Sequence, residues 1–132
     1  MRSVLGLSLV VAVSVTQAQA AVDTMQATAA MKATQSKLAQ AFTGKSCSGN
    51  HDVLVIPTSP DMAETNLQQL TAFAPHAYTS QGGTVLKKEV LWNPIEGRFY
   101  YKDAEGYRLF TRFYYDNTNR KSQIIRYSCT VK

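Results

Sequence analysis

Few side chains in this sequence could carry chemistry, and they fall into three sets. His76 sits in Ala74-Pro75-His76-Ala77-Tyr78. An imidazole has an ordinary pKa near neutrality, so it could take or give a proton. A lone histidine in a loop is also an ordinary surface residue. Cys47 and Cys129 are the two cysteines. The third set is cationic and aromatic: Arg98, Tyr100, Lys102, Arg108, Phe110, Arg112, Tyr114 and Arg126 recur at alternate positions in the last third of the chain. Arginine neutralises phosphate and aromatic rings stack on bases, so such a set could form a platform for RNA. It could equally be a solvated face whose rings shield long basic stems. His51 and His76 have no companions at metal-ligand spacing, so neither a metal site nor any cofactor is expected.

These side chains need a sheet to align them. Thr84–Trp92, Arg98–Lys102, Tyr107–Tyr115 and Ser122–Val131 read as four strands, separated by Asn93-Pro94-Ile95-Glu96-Gly97, Asp103-Ala104-Glu105-Gly106 and Asp116-Asn117-Thr118-Asn119. Glycine, asparagine and aspartate suit the reversals, and aromatic or β-branched residues suit the pleat. The pattern predicts a four-stranded antiparallel meander. Alternation then gives a core face of Phe99, Tyr101, Leu109, Thr111, Phe113, Tyr115, Ile125, Tyr127, Cys129 and Val131. The opposite face collects the cationic and aromatic set, with Ile124, Arg126, Ser128, Thr130 and Lys132.

Upstream, Val53–Ile56 reads as a short buried strand ended by Pro57. Ser59-Pro60-Asp61 is a helix start, with Ser59 as cap and Asp61 and Glu64 at the positive end of the dipole. Met62, Leu67, Leu70 and Phe73 carry that helix toward Ala74, and a polar loop at Thr79–Gly83 follows. Ala21–Phe42 is rich in Ala, Gln, Met and Lys, and reads as a weakly amphipathic helix stopped at Gly44. It could pack on the domain or precede it. The expected fold is α+β, a helix on an antiparallel sheet.

Arg2, the apolar run Val4–Val15 and Ala18-Gln19-Ala20 form a secretory signal pattern with cleavage expected after Ala20. That leaves a soluble exported chain of residues 21–132, with an extension at 21–46 and one domain at 47–132. No segment is expected to span a membrane. In an exported protein two cysteines are most simply one disulfide, Cys47–Cys129. The sequence carries 14 basic and 9 acidic side chains. Residues 87–132 hold ten of the basic against five of the acidic, so the positive excess lies in the sheet half. That asymmetry favours an anionic partner.

The order of these features resembles the small guanyl-specific fungal ribonucleases and the ribonuclease-like secreted effectors of plant-pathogenic fungi. Cys47-Ser48-Gly49-Asn50 opens the similar region, and Ser59–Phe73 supplies a helix. Ala74-Pro75-His76-Ala77-Tyr78 is similar to the family's His loop, and Trp92-Asn93-Pro94-Ile95 to its Pro-Ile strand. Gly106-Tyr107-Arg108-Leu109-Phe110 is similar to its Arg strand, and Tyr127-Ser128-Cys129-Thr130 to its closing cysteine. The resemblance implies His76 as proton-transfer group, Arg108 as stabiliser of phosphate charge, and Tyr78 as their neighbour. The family's glutamate falls at Trp92, and no histidine follows His76. Cleavage by a 2′-hydroxyl needs one group to take a proton and another to give one. The resemblance therefore implies the fold with its catalysis lost, as in the effector branch.

Three functions are open to such a chain. The first is a secreted, non-catalytic virulence effector, acting as a monomer and binding RNA or a host protein through Tyr78, Arg98, Tyr100, Phe110, Arg112, Tyr114 and Arg126. The second is a small bacterial periplasmic inhibitor or immunity-type protein whose sheet face or Pro94–Gly97 loop plugs a partner enzyme. The third is an active ribonuclease using His76 with Glu89.

Overall fold

The computed structural model describes residues 29–132. The signal pattern at 1–20 and the first part of the expected helix, 21–28, lie outside the described residues. In chain order the elements are α1 (Ala29–Thr43), β1 (Cys47–Pro57), α2 (Ala63–Ser80), β2 (Thr84–Trp92), β3 (Ile95–Lys102), β4 (Arg108–Asp116) and β5 (Gln123–Val131). The architecture is α+β, as the sequence predicts. The sheet, however, has five antiparallel strands in the order β1-β5-β4-β3-β2 rather than four. The meander is present as β2 to β5. The segment read as a short strand extends over Cys47–Pro57 and pairs with β5, Val53 opposite Tyr127.

A second correction concerns the faces. Both are cores, because each is covered by a helix. α2 covers one through Leu67 and Ala74 on Ile95, Phe99, Phe113 and Ile124. α1 covers the other through Ala39 and Phe42 on Tyr100, Phe110, Cys129 and Val131. The expected division by parity fails at β5. Phe113 pairs with Arg126 and Arg112 with Tyr127, so Ile125, Tyr127, Cys129 and Val131 share a face with Phe110, not with Phe99. The reason is the length of the link. The five residues 103–107 between Lys102 and Arg108 preserve odd-with-odd pairing. The six residues 117–122 between Asp116 and Gln123 invert it.

α2 differs from expectation at both ends. It starts at Ala63 with Met62 as cap and no side-chain capping bond, while Ser59 gives its carbonyl to the Met62 N–H at 3.1 Å, forming a turn. It also runs through Pro75 to Ser80, so the expected loop around His76 and Tyr78 is helical. An interior proline costs a helix about 3 kcal/mol. Burial of Leu67, Thr71 and Ala74 against the sheet and the partial burial of Tyr78 offset it. Gly82, at φ +86°, then lets the chain reverse into β2, and the Gly83 N–H closes onto the Tyr78 carbonyl at 2.9 Å.

The disulfide joins Cys47 to Cys129. Cys129 is buried on the face that α1 covers, beside Phe110, rather than on the face of Phe99 where the alternation places it. No helix among the described residues is long and apolar enough to cross a membrane.

Candidate functional site

The sheet face that α1 covers carries most of the cationic and aromatic set, but its centre is closed. Phe110 is fully buried and Tyr100 nearly so, with Phe42 against Phe110 at 5.6 Å between ring centroids. Neither ring can stack on a base. Arg98 and Arg112 are also occupied. Glu96 accepts from Arg98 Nε at 2.5 Å and from Arg112 at 2.9 Å, and Arg98 lies 3.6 Å from Glu89. The Arg112 guanidinium stacks on Tyr114 at 3.8 Å. Burial alone would raise the Glu96 carboxyl, but the hydrogen bonds and charges of Arg112 and Arg98 outweigh it and hold the group below its ordinary value. These arginines and their glutamate are internal structure.

Arg126 lies on the opposite face, paired with Asp52 at 2.6 Å. Tyr78, on the inner side of α2, stacks on Tyr101 at 3.8 Å with ring planes 6° apart. Burial, with Tyr101 beside it, pushes its phenol well above the ordinary value. His76 is exposed on α2, beside the outer strand β2. Arg108 is exposed on the α1 face, its guanidinium 3.4 Å from the Tyr100 hydroxyl. His76 and Arg108 are thus on opposite sides of the sheet, and no bond could lie between them.

What the fold does bring together is a cationic end. Lys102 and Arg108 pair across β3 and β4. Arg108 lines an open hollow of about 470 Å³ with Lys45, Gly106, Tyr107, Thr130, Val131 and Lys132. Three local devices position it. Gly44, at φ +77°, ends α1, and the Thr43 hydroxyl accepts the Lys45 N–H at 3.0 Å. The Lys132 N–H donates to the Ser46 carbonyl at 3.2 Å, beside the disulfide. In the β3–β4 turn the Asp103 carboxylate accepts the N–H groups of Glu105 and Tyr107, at 3.0 and 2.8 Å, which leaves Tyr107 62% exposed.

Among the described residues, Lys45, Lys102, Arg108 and Lys132 form no ion pair. Asp103 and Glu105 lie in the β3–β4 turn but pair with none of the four cations. Unpaired cations suit an anion held by charge and hydrogen bonds, not proton transfer. Sequence reasoning names Arg108 but misses Lys45 and Tyr107. Their proximity depends on the chain reversal at Gly44 and on β1 joining β5, which no local pattern records. No group of His, Cys, Asp and Glu among the described residues could hold a metal ion. No family model, curated protein or solved structure matches the chain.

Proposed function

We propose that the protein is an exported, non-catalytic binding protein that grips an anionic partner, RNA in the first instance, through Lys45, Lys102, Arg108 and Lys132 with Tyr107 beside them. The observation that carries the proposal is the contrast between these four cations, unpaired at one end of the sheet, and Arg98, Arg112 and Arg126, neutralised within the fold. Exposed unpaired cations bind phosphates and release the counterions condensed on them. An exposed tyrosine adds a surface on which a base can stack.

The separation of His76 from Arg108 supports a non-catalytic role, because cleavage needs acid and base at one bond. The motif order that resembles ribonuclease-like effectors supports RNA as the anion and an effector as the setting. Export is supported by the signal pattern ending at Ala20 and by a disulfide of the kind that persists in oxidising compartments.

One observation favours a second function, the periplasmic inhibitor or immunity-type protein. Trp92, at the end of β2 beside Pro94, is 67% exposed and borders a groove with Ala63, Leu67, Ile95 and Tyr115. An exposed tryptophan over an apolar groove is a typical anchor for a protein partner.

Fluorescence anisotropy of a labelled single-stranded RNA tests the primary proposal. Binding at low salt that weakens about tenfold or more in Lys45→Ala/Arg108→Ala is expected, with Trp92→Ala unchanged. Absence of binding at low salt would remove RNA as the partner.

A further inference from the structure

β2 is an outer strand, bonded to β3 on one side only, and most of its nine residues are exposed. α2 runs beside it. Pro75, His76 and Thr79 face Val85, Leu86 and Lys88 across a groove of about 540 Å³. A helix flanking a free strand edge is the arrangement in which an extended peptide adds as the next strand, its main chain on the edge and alternate side chains in the groove.

The charges on β2 select the kind of strand. Lys88 pairs with Phe99, which puts its side chain on the α2 side, and it forms no ion pair among the described residues. Lys87 turns to the other face, where its ammonium donates to the Phe42 carbonyl at 3.0 Å and lies over the Phe42 ring. Glu89 is held by Arg98. The edge therefore offers an incoming strand a net positive charge. Two-fold pairing with a second copy, centred on Lys87, Lys88 or Glu89, sets a like charge against itself, which is how edge strands avoid their own kind. An acidic strand meets no such repulsion.

We propose that the β2 edge and the α2 groove form a strand-addition site for an extended acidic peptide of a partner protein. The site uses residues apart from the cationic end and stands independently of it.

The test titrates the purified, oxidised protein with three labelled eight-residue peptides of alternating valine and a charged residue. One carries glutamate, one lysine, and one glutamate with alternate amides N-methylated. The glutamate peptide should bind, the lysine peptide should not, and N-methylation should weaken binding about tenfold or more, because it removes the ladder bonds but keeps the charge. Lys88→Glu, at an exposed position without an ion pair among the described residues, should reverse the preference between the glutamate and lysine peptides. Equal binding of the N-methylated peptide would mean charge attraction alone and overturn the proposal. So would indifference to Lys88→Glu, displacement by RNA without sensitivity to N-methylation, or no binding of any peptide.

Discussion

Glu96 sits where two strands and two guanidiniums meet, and its removal strands both arginines. Losing one partner of a fully buried pair costs roughly 3–5 kcal/mol. Arg98 and Arg112 keep about a fifth of their side-chain surface in water, so Glu96→Gln should cost about 2–3 kcal/mol at neutral pH by denaturant unfolding. The folded carboxyl titrates below its ordinary 4.5, so its contribution is present above that value and is lost as pH falls through the folded value. The stability gap between wild type and Glu96→Gln should therefore narrow below about pH 4.5. A gap independent of pH would show that the carboxylate is not the ionised partner of both arginines. One residue on, Gly97 lies under Thr71 of α2, and a Cβ there would collide with the Thr71 methyl and press on Phe99 at 3.1 Å. Gly97→Ala should cost about 1–3 kcal/mol, as overpacking does. The sequence displays every cation of the candidate surface but not which are neutralised, because Glu96 meets Arg112 only through the pairing of β3 with β4.

Among the elements, α1 decides what the sheet can offer. Its Phe42 covers Phe110 and takes the Lys87 ammonium over its ring at 4.4 Å. Phe42→Ala should cost about 3 kcal/mol or more and should expose the Tyr100 and Phe110 rings to quenchers. The strands from Thr84 to Val131 were legible because turn residues and alternation mark each one, except that β3 begins at Ile95, so that Ile95, Glu96 and Gly97, expected in a turn, are its buried first residues. The facing of β5 was not, since it depends on whether the linking residue count is even or odd. The Thr118–Arg120 turn supplies that count with Asn119 and Arg120 at positive φ, a conformation unusual for arginine. The sequence pattern carries the helix only toward Ala74, since the local penalty of Pro75 is visible in sequence, whereas the burial of Leu67, Thr71 and Ala74 that overrides it is tertiary. His76 and Tyr78 thereby passed from an expected loop to a helix, Tyr78 facing inward and His76 outward.

At the scale of the whole molecule, the disulfide and the charge distribution govern behaviour together. Cys47 and Cys129 are 82 residues apart in sequence, so the bridge contributes about 4.5 kcal/mol in the chain-entropy model. Cys47→Ser/Cys129→Ser should lose about that much, which calorimetry would register as a large drop in Tm. The same bridge holds the start of β1, just after Lys45, against β5, so loss of the disulfide should also loosen the cationic end. That the positive excess lies in the sheet half was plain from composition. The grouping of Lys45, Lys102, Arg108 and Lys132 at one end, with Arg98, Arg112 and Arg126 taken up in ion pairs, required the fold. The most direct measurement is the salt dependence of single-stranded RNA binding by the oxidised protein and by Lys45→Ala/Arg108→Ala. Three to four phosphate contacts predict a log–log slope of about −2 to −3, shallower by about 1.4 when two cations are removed. A slope near zero, or one unchanged in the double variant, would contradict an anion-binding role for this end of the molecule.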